Sequence, residues 1–455
     1  MLPFIGNVHL LKSKYELVKQ LSELTYNLKN EPLWRLWLGT KPIFVFHKGE
    51  YTEVLFSSSK NPQKSVQYDF LHPWLGTGLL TSYGEKWANR RRLITPTFHF
   101  EILNDFLHVM NEQTDILIQI LIKLVKEGQE INIFERLKAC ALDIICESAM
   151  GQNVNAQHDK TSEYVQAVAR ISELVTFRLY NPLQWSDFIY RITPKGKDFK
   201  RCLKVLHNFT KKIIVERDND LEDGDLFSQK RVAFLDLLLK AKRKDQLITF
   251  DDIREEVDTF MFEGHDTTAA AASWACQLID SHPEVQEKLH SEIDSVLGNS
   301  ERHLTNDDLK QLKYLDLVIK ETLRLFPSVP YFGRTISEDC QIGEYKILQG
   351  ETAVILAYMI HRDEKYYPDP EKFDPDRFLP ENIKDRHPYA YIPFSAGRRN
   401  CIGQRFALME EKVIIANILR RFKIKSIKTI DELEPVGDLI IHPNDGLPIQ
   451  LKFRF

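Results

Sequence analysis

The stretch FSAGRRNCIG, residues 394–403, sets one thiol, Cys401, among two glycines, two arginines and an aromatic. A thiolate that serves as a metal ligand must stay deprotonated, and backbone N–H groups aimed at the sulfur favour that state. Glycines permit the close chain approach this needs, and Gly397 and Gly403 flank the cysteine. Phe394 is placed to screen the sulfur from water. Arg399, two residues before the cysteine, points to the other side and suits an acidic edge of a cofactor. The following run, RFALMEEKVIIANILRRF, has a helical pattern, and a helix N-terminus lowers the pKa of a thiol placed there. An inert buried thiol is the plain alternative, and this setting argues against it.

A second cluster lies in EVDTFMFEGHDTT. Glu263, His265, Asp266, Thr267 and Thr268 place five polar side chains on a segment flanked by apolar runs. Gly264 among them costs a helix about 1 kcal/mol relative to alanine, so it needs a reason. Glu263 and Thr267 are four residues apart and share a helical face. An acid beside a hydroxyl suits a small ligand to which protons must be delivered. Two further pairs stand out. In KETLRLF, Glu321 and Arg324 sit inside an apolar stripe, where a buried carboxylate needs its partner and the planar guanidinium has donors to spare for a further segment. In KWANRRR, Trp87 and Arg91 form a donor pair at i, i+4 that suits a carboxylate or phosphate, the alternative being a basic face in water.

These residues need a rigid frame. Residues 251–281 carry the strongest helical pattern, with Asp251, Asp252, Glu255 and Glu256 in the first turns, where the dipole favours acids. At ~1.5 Å per residue such a helix spans about 45 Å, enough to cross a domain. Helical patterning runs from about 85 to 330. Strand signals are WRLWLG and IFVFH near the N-terminus, AVILAYM at 353–359 and the final IQLKF. Prolines recurring from Asp363 to Pro393 forbid long helices. The polar run from Arg217 to Arg231 reads as a surface loop. The pattern predicts one mostly helical domain with a small β-rich part on the N-terminal side.

Composition narrows the function. With 455 residues, 43% apolar and 28% charged, the chain is of ordinary globular make-up. A net charge of −4 gives no general attraction to nucleic acid. Six cysteines without a CxxC pair exclude a disulfide scaffold and a four-thiolate metal site. No apolar run is long enough to span a bilayer as a helix. The opening MLPFIGNVHLL lacks the basic flank and cleavage site of a signal peptide; its abrupt start on a turn leads to the expectation of a missing N-terminal segment. GTGLLT at 76–81 lacks the third glycine of a nicotinamide fingerprint.

On these motifs the chain resembles the cytochrome P-450 superfamily. FSAGRRNCIG fits its haem-binding signature F-x-x-G-x-R-x-C-x-G, ETLR (321–324) fits E-x-x-R, FDPDRF (373–378) resembles the arginine motif that follows, and EGHDTT fits the oxygen-activating helix. EVDTFMFEGHDTT is similar to the signature of family 4, the fatty-acid ω-hydroxylase branch, of animal or insect microsomal type. The resemblance covers essentially the whole chain.

It implies a mainly α fold in which haem is buried between a long central helix and the C-terminal cysteine loop, with residues 1–455 forming a single catalytic domain. Cys401 would be the proximal thiolate on haem iron. Asp266 and Thr267 would relay protons to dioxygen, with Gly264 opening the groove that holds it. Trp87, Arg91, Arg334 and Arg399 would bind the haem propionates, and Phe394 and Gly397 in the ligand loop would be cofactor-binding residues too. Glu321, Arg324 and Arg377 would form a structural cluster. Glu263 would lie at the haem edge, where this branch can form an ester to a haem methyl.

The activity implied is a monooxygenase that splits O2 and hydroxylates a long apolar chain, a fatty acid or terpenoid, near its end. Electrons would come from NADPH through a flavoprotein reductase, with cytochrome b5 as a further partner. The location implied is the cytosolic face of the endoplasmic reticulum membrane, in contact with its surface. The anchor and proline-rich hinge that precede LPFIGN in such proteins are not in this chain, nor is the long insertion of the hydrocarbon-forming insect branch. The rivals are peroxide-driven oxygenation, isomerisation and a non-catalytic haem protein. None of these has a use for the Asp266–Thr267 pair.

Overall fold

The helix from Phe250 to Ser281 runs through the middle of the molecule and organises it. Thr249 caps it: the threonine side chain accepts from the Asp252 N–H while the Asp252 carboxylate accepts from the Thr249 N–H. Its middle and C-terminal turns are buried, and Ala269–Ala272 leave at most 1% of their surface exposed, so small side chains let neighbouring elements approach closely. Trp274 stacks on Phe326 with ring centroids 4.1 Å apart. The helix runs unbroken through Gly264. A Cβ there would lie 2.8 Å from Ile145 of the Ile133–Ala149 helix, so the glycine serves close helix packing.

The computed structural model describes residues 6–10, 12, 14–57, 63–158, 162–223, 233–245 and 248–455. Helices dominate from Gly84 to Leu325, as the pattern predicts. The polar run beginning at Arg217 departs from it. Arg217 to Asp223 continue the Pro194–Asp223 helix, held by the Arg217–Asp236 ion pair at 2.7 Å and by Arg243, which bonds Asp218. The rest of that run up to Arg231 lies outside the described residues.

The β-rich part is not confined to the N-terminal side. Five strands pair in the order Trp34–Leu38, Lys41–Phe46, Thr352–Ile355, Phe332–Thr335, Gln63–Lys64. The link between the two ends of the chain is parallel, with Phe44 opposite Ala353. Burial of both partners selects this pairing, which no local pattern reveals. The strand expected over 353–359 stops at Ile355, and Ala357–Ile360 form a helical turn. A second sheet pairs Pro448–Phe453 with Phe422–Ser426, Leu451 facing Ile424. The proline-rich segment contains only short turns such as Pro375–Phe378 and Pro380–Ile383.

Candidate active site

The central helix and the cysteine loop face each other across a cavity of about 380 Å³, within the size range of small-molecule sites. Cys401, Phe394, Glu263, Gly264, Thr267 and Thr268 all line it.

The cysteine loop is set by two left-handed residues, Ser395 at φ 58° and Gly397 at φ 67°. The Cys401 N–H donates to the Phe394 carbonyl at 2.9 Å, and the Asn400 N–H to the Gly397 carbonyl at 3.1 Å. A Cβ on Gly397 would meet the Phe56 carbonyl oxygen at 2.5 Å. Gly397 therefore makes the turn and the approach to Phe56, and it is not among the residues that line the cavity. Gly403 does: its Cβ position is 4.0 Å from the Cys401 Sγ, and it caps the Gln404–Arg421 helix.

Burial pushes the Cys401 thiol up to about 11, helped by the Glu263 charge, while the Gly403 N–H, Arg91 and Lys64 pull it down. Of the lowering expected at the helix N-terminus, the Gly403 N–H supplies a part. Coordination by a metal deprotonates such a thiol outright.

Four cationic side chains, Lys64, Arg91, Arg334 and Arg399, also line the cavity. The Arg399 Nη2 donates to the Leu80 carbonyl at 3.1 Å, and its guanidinium lies 4.8 Å from the Trp87 ring centroid. Its Nε and Nη1 are buried with no partner among the described residues. The Arg334 Nη2 donates to Ser395 Oγ at 3.1 Å. Burial, then Arg334, lowers the Arg399 guanidinium to about 9, and burial followed by Arg334 and Arg399 pushes Lys64 well below its ordinary value. Clustered cations with orphaned donors call for an anion. A haem, with propionates for these donors and iron for the thiolate, fits the residues present.

On the opposite wall the Thr267 Oγ1 donates to the Glu263 carbonyl at 2.6 Å, and Ser328 Oγ donates to the Thr267 carbonyl at 2.8 Å. Burial raises the Glu263 carboxyl, against the pull of Lys64 and Arg399. Asp266, in contrast, is not on the cavity wall. His265 is buried, its Nδ1 2.6 Å from the Met261 carbonyl.

Behind the site, Glu321 and Arg324 have no exposed surface. Arg324 donates through Nε to Glu321 Oε2 at 2.7 Å and through Nη2 to Oε1 at 2.8 Å. Its remaining donors hold the proline-rich segment through the carbonyls of His361 (3.0 Å), Pro370 (2.7 Å) and Lys372 (3.1 Å). Asp374 donates its N–H to Glu321 at 2.9 Å, and the Arg377 Nε lies 3.5 Å from the same oxygen. The pair anticipated from ETLR is therefore the anchor of the segment that leads into the cysteine loop. Lys64, Ser395 and Asn400 escape sequence reasoning, because none sits in a periodic pattern and Lys64 comes from a remote strand edge.

A lone cysteine at a helix N-terminus, facing a buried cationic cluster and a polar turn of a long helix, defines a haem-thiolate protein. The chain belongs to the cytochrome P-450 family: the family model described as "Cytochrome P450" matches residues 1–449. It is 51% identical to "Cytochrome P450 4V2" of Rattus norvegicus over 464 residues, covering 99% of this chain and 88% of that protein. It is 50% identical to "Cytochrome P450 4V2" of Homo sapiens with the same coverage. With "Cytochrome P450 4c3" of Drosophila melanogaster it shares 44% over 92% of this chain and 82% of that one. It is accordingly a haem monooxygenase of family 4 that uses O2, a substrate and a redox partner. No helix among the described residues is long and apolar enough to cross a membrane.

Proposed function

We propose that this chain, as a single catalytic domain over residues 1–455, hydroxylates a long-chain apolar substrate, a fatty acid or terpenoid, near its terminus. The observation that carries this reading is the continuity of one cavity from Cys401 and Thr267 to a wall of Leu17, Leu21, Leu36 and Val45. A chain threaded along that wall presents its end to the reacting side and is desolvated along its length.

Haem, when bound, supplies the oxygen-activating chemistry. Cys401 would hold its iron, and Trp87, Arg334 and Arg399 would hold its propionates. Arg91 would both face that edge and brace the ligand loop, and Phe394 would shield the sulfur. Thr267 would hold and pass protons at its hydroxyl, with Asp266, next in the helix, supplying them from behind the wall. Glu263 would form an ester to a haem methyl, using the enzyme's own oxidising chemistry.

Electrons would come from NADPH through a flavoprotein reductase. The exposed Arg92, Arg398 and Arg405 around the cysteine loop support docking of an acidic face there. Cytochrome b5 would use the same side. Leu183, Phe188 and Ile192, exposed at 82%, 76% and 64%, support contact with a membrane surface, and the reading places the protein on the cytosolic face of the endoplasmic reticulum.

The deciding experiment is turnover of the haem-loaded protein with reductase and NADPH against a panel of fatty acids and terpenoids. Terminal or near-terminal alcohols are the expected products. Product formation from peroxide alone, with none from NADPH, would overturn the reading.

A further inference from the structure

Glu256 does not line the cavity, yet it holds a segment that does. The loop at 76–82 rests on the central helix: a Cβ on Gly78 would lie 2.8 Å from both the Glu255 carbonyl oxygen and Thr259 Oγ1. Side chains fasten it there. The Lys86 Nζ donates to Thr77 Oγ1 at 2.6 Å and to Glu255 Oε2 at 2.9 Å. The Leu79 N–H donates to Glu256 Oε2 at 2.9 Å. Arg90 braces the acids, its Nη2 2.6 Å from Asp252 Oδ1 and its Nε 3.7 Å from Glu256 Oε1.

The next residue of the loop carries this hold to the cavity. Leu79 and Leu80 both line the cavity, and the Leu80 carbonyl accepts from the Arg399 Nη2 at 3.1 Å. Two residues of loop thus connect a carboxylate on the central helix to a guanidinium in the cysteine loop. The Trp87 ring supports one side of that guanidinium, 4.8 Å away, and an indole offers it no acceptor. A guanidinium has fixed donor directions. A shift of the Leu80 carbonyl therefore re-aims the Arg399 Nε and Nη1, the two donors left buried without a partner among the described residues.

We propose that Glu256 is a positioning residue of the haem pocket: through Leu79 and Leu80 it aims Arg399 at the haem propionate. The inference rests on the reading of Arg399 as a propionate ligand. It makes one element, the Phe250–Ser281 helix, set both the propionate edge and the Thr267 wall.

The test follows haem release to excess apomyoglobin from loaded protein before any turnover, when no ester yet holds the haem. The propionate-bending band of the resonance Raman spectrum is read alongside. Glu256→Ala should release haem roughly fivefold faster, the weight of one hydrogen bond, and should shift that band. Glu256→Gln, whose amide oxygen still accepts the Leu79 N–H, should keep the wild-type rate and band. Glu256→Asp, too short to reach, should behave as alanine does and replaces it if the alanine variant loads no haem. Val257→Ala, at the adjacent fully buried position, should lower stability and leave the band in place. In an Arg399→Leu background Glu256→Ala should add nothing to the release rate, because the route through Arg399 is already cut. Additive effects of those two changes, a glutamine variant as leaky as alanine, or a band that Val257→Ala shifts equally would each overturn the positioning role. Haem release from Arg399→Leu at the wild-type rate would remove the propionate reading of Arg399 itself and take the inference with it.

Discussion

Arg91 grips the residue next to the cysteine: its Nη1 donates to the Asn400 carbonyl and its Nη2 to the Asn400 Oδ1, both at 2.9 Å. A planar fork matched to a backbone and a side-chain oxygen of one residue fixes the loop, which a lysine's single ammonium cannot reproduce. Arg91→Lys and Arg91→Ala should therefore reduce the thiolate-type Soret band of the reduced carbon monoxide complex, alanine the more, while Cys401→His should abolish it. Full thiolate spectra in both Arg91 variants would reduce this contact to a surface feature.

Thr267 offers its hydroxyl at the cavity wall. Thr267→Ala should bind haem and substrate normally but divert electrons to peroxide, because the proton reaches dioxygen at the wrong place or time. The quantity to measure is product formed per NADPH consumed, expected to drop severalfold. Coupling equal to wild type would remove Thr267 from proton delivery.

Glu263 shares a helical face with Thr267 and carries its carboxyl to the same cavity. After turnover, haem should travel with the wild-type polypeptide on denaturing chromatography and separate from Glu263→Ala. Haem released freely from turned-over wild type would leave Glu263 as a wall residue only.

Glu321 and Arg324 are buried partners, so removing one strands the other's charge at a cost of about 3–5 kcal/mol, a large part of a typical fold's stability. Each alanine variant should yield little haem-loaded protein, and Arg324→Lys should fare poorly too, because one ammonium cannot bond two carboxylate oxygens and three carbonyls at once. Normal yield and haem content in the alanine variants would contradict the anchoring role.

Glu256, fully buried on the central helix, accepts the Leu79 N–H at 2.9 Å through Oε2. Its Oε1 has no hydrogen-bond partner among the described residues, the Arg90 Nε lying 3.7 Å away. Burial raises its carboxyl from 4.5 to about 7. A raised acid favours the protonated folded state, so its stabilising contribution is present below pH ~4.5 and lost as pH climbs through ~7. Wild-type stability should fall by roughly 2–3 kcal/mol from this group over that window, and Glu256→Gln should flatten the slope. Melting temperatures from pH 5 to 8 that fall equally in both proteins would show that other groups carry it.

Sequence alone determined the chemistry and its local supports. The run FSAGRRNCIG marks the proposed iron ligand, EVDTFMFEGHDTT the helix opposite it, and ETLR a buried pair, because each depends on short spacing along one segment. The central helix was legible almost to its ends for the same reason: its cap, acids and apolar face are all local. Tertiary structure decided what comes from afar. Lys64 enters the cation cluster from a strand edge, Phe44 pairs with Ala353 across most of the chain, and Tyr180 meets Tyr331 only where helix and sheet converge. It also gave Gly264 a packing partner, Ile145, on a different helix. Dielectric surroundings and close packing are properties of the assembled interior, and no spacing along the chain encodes them.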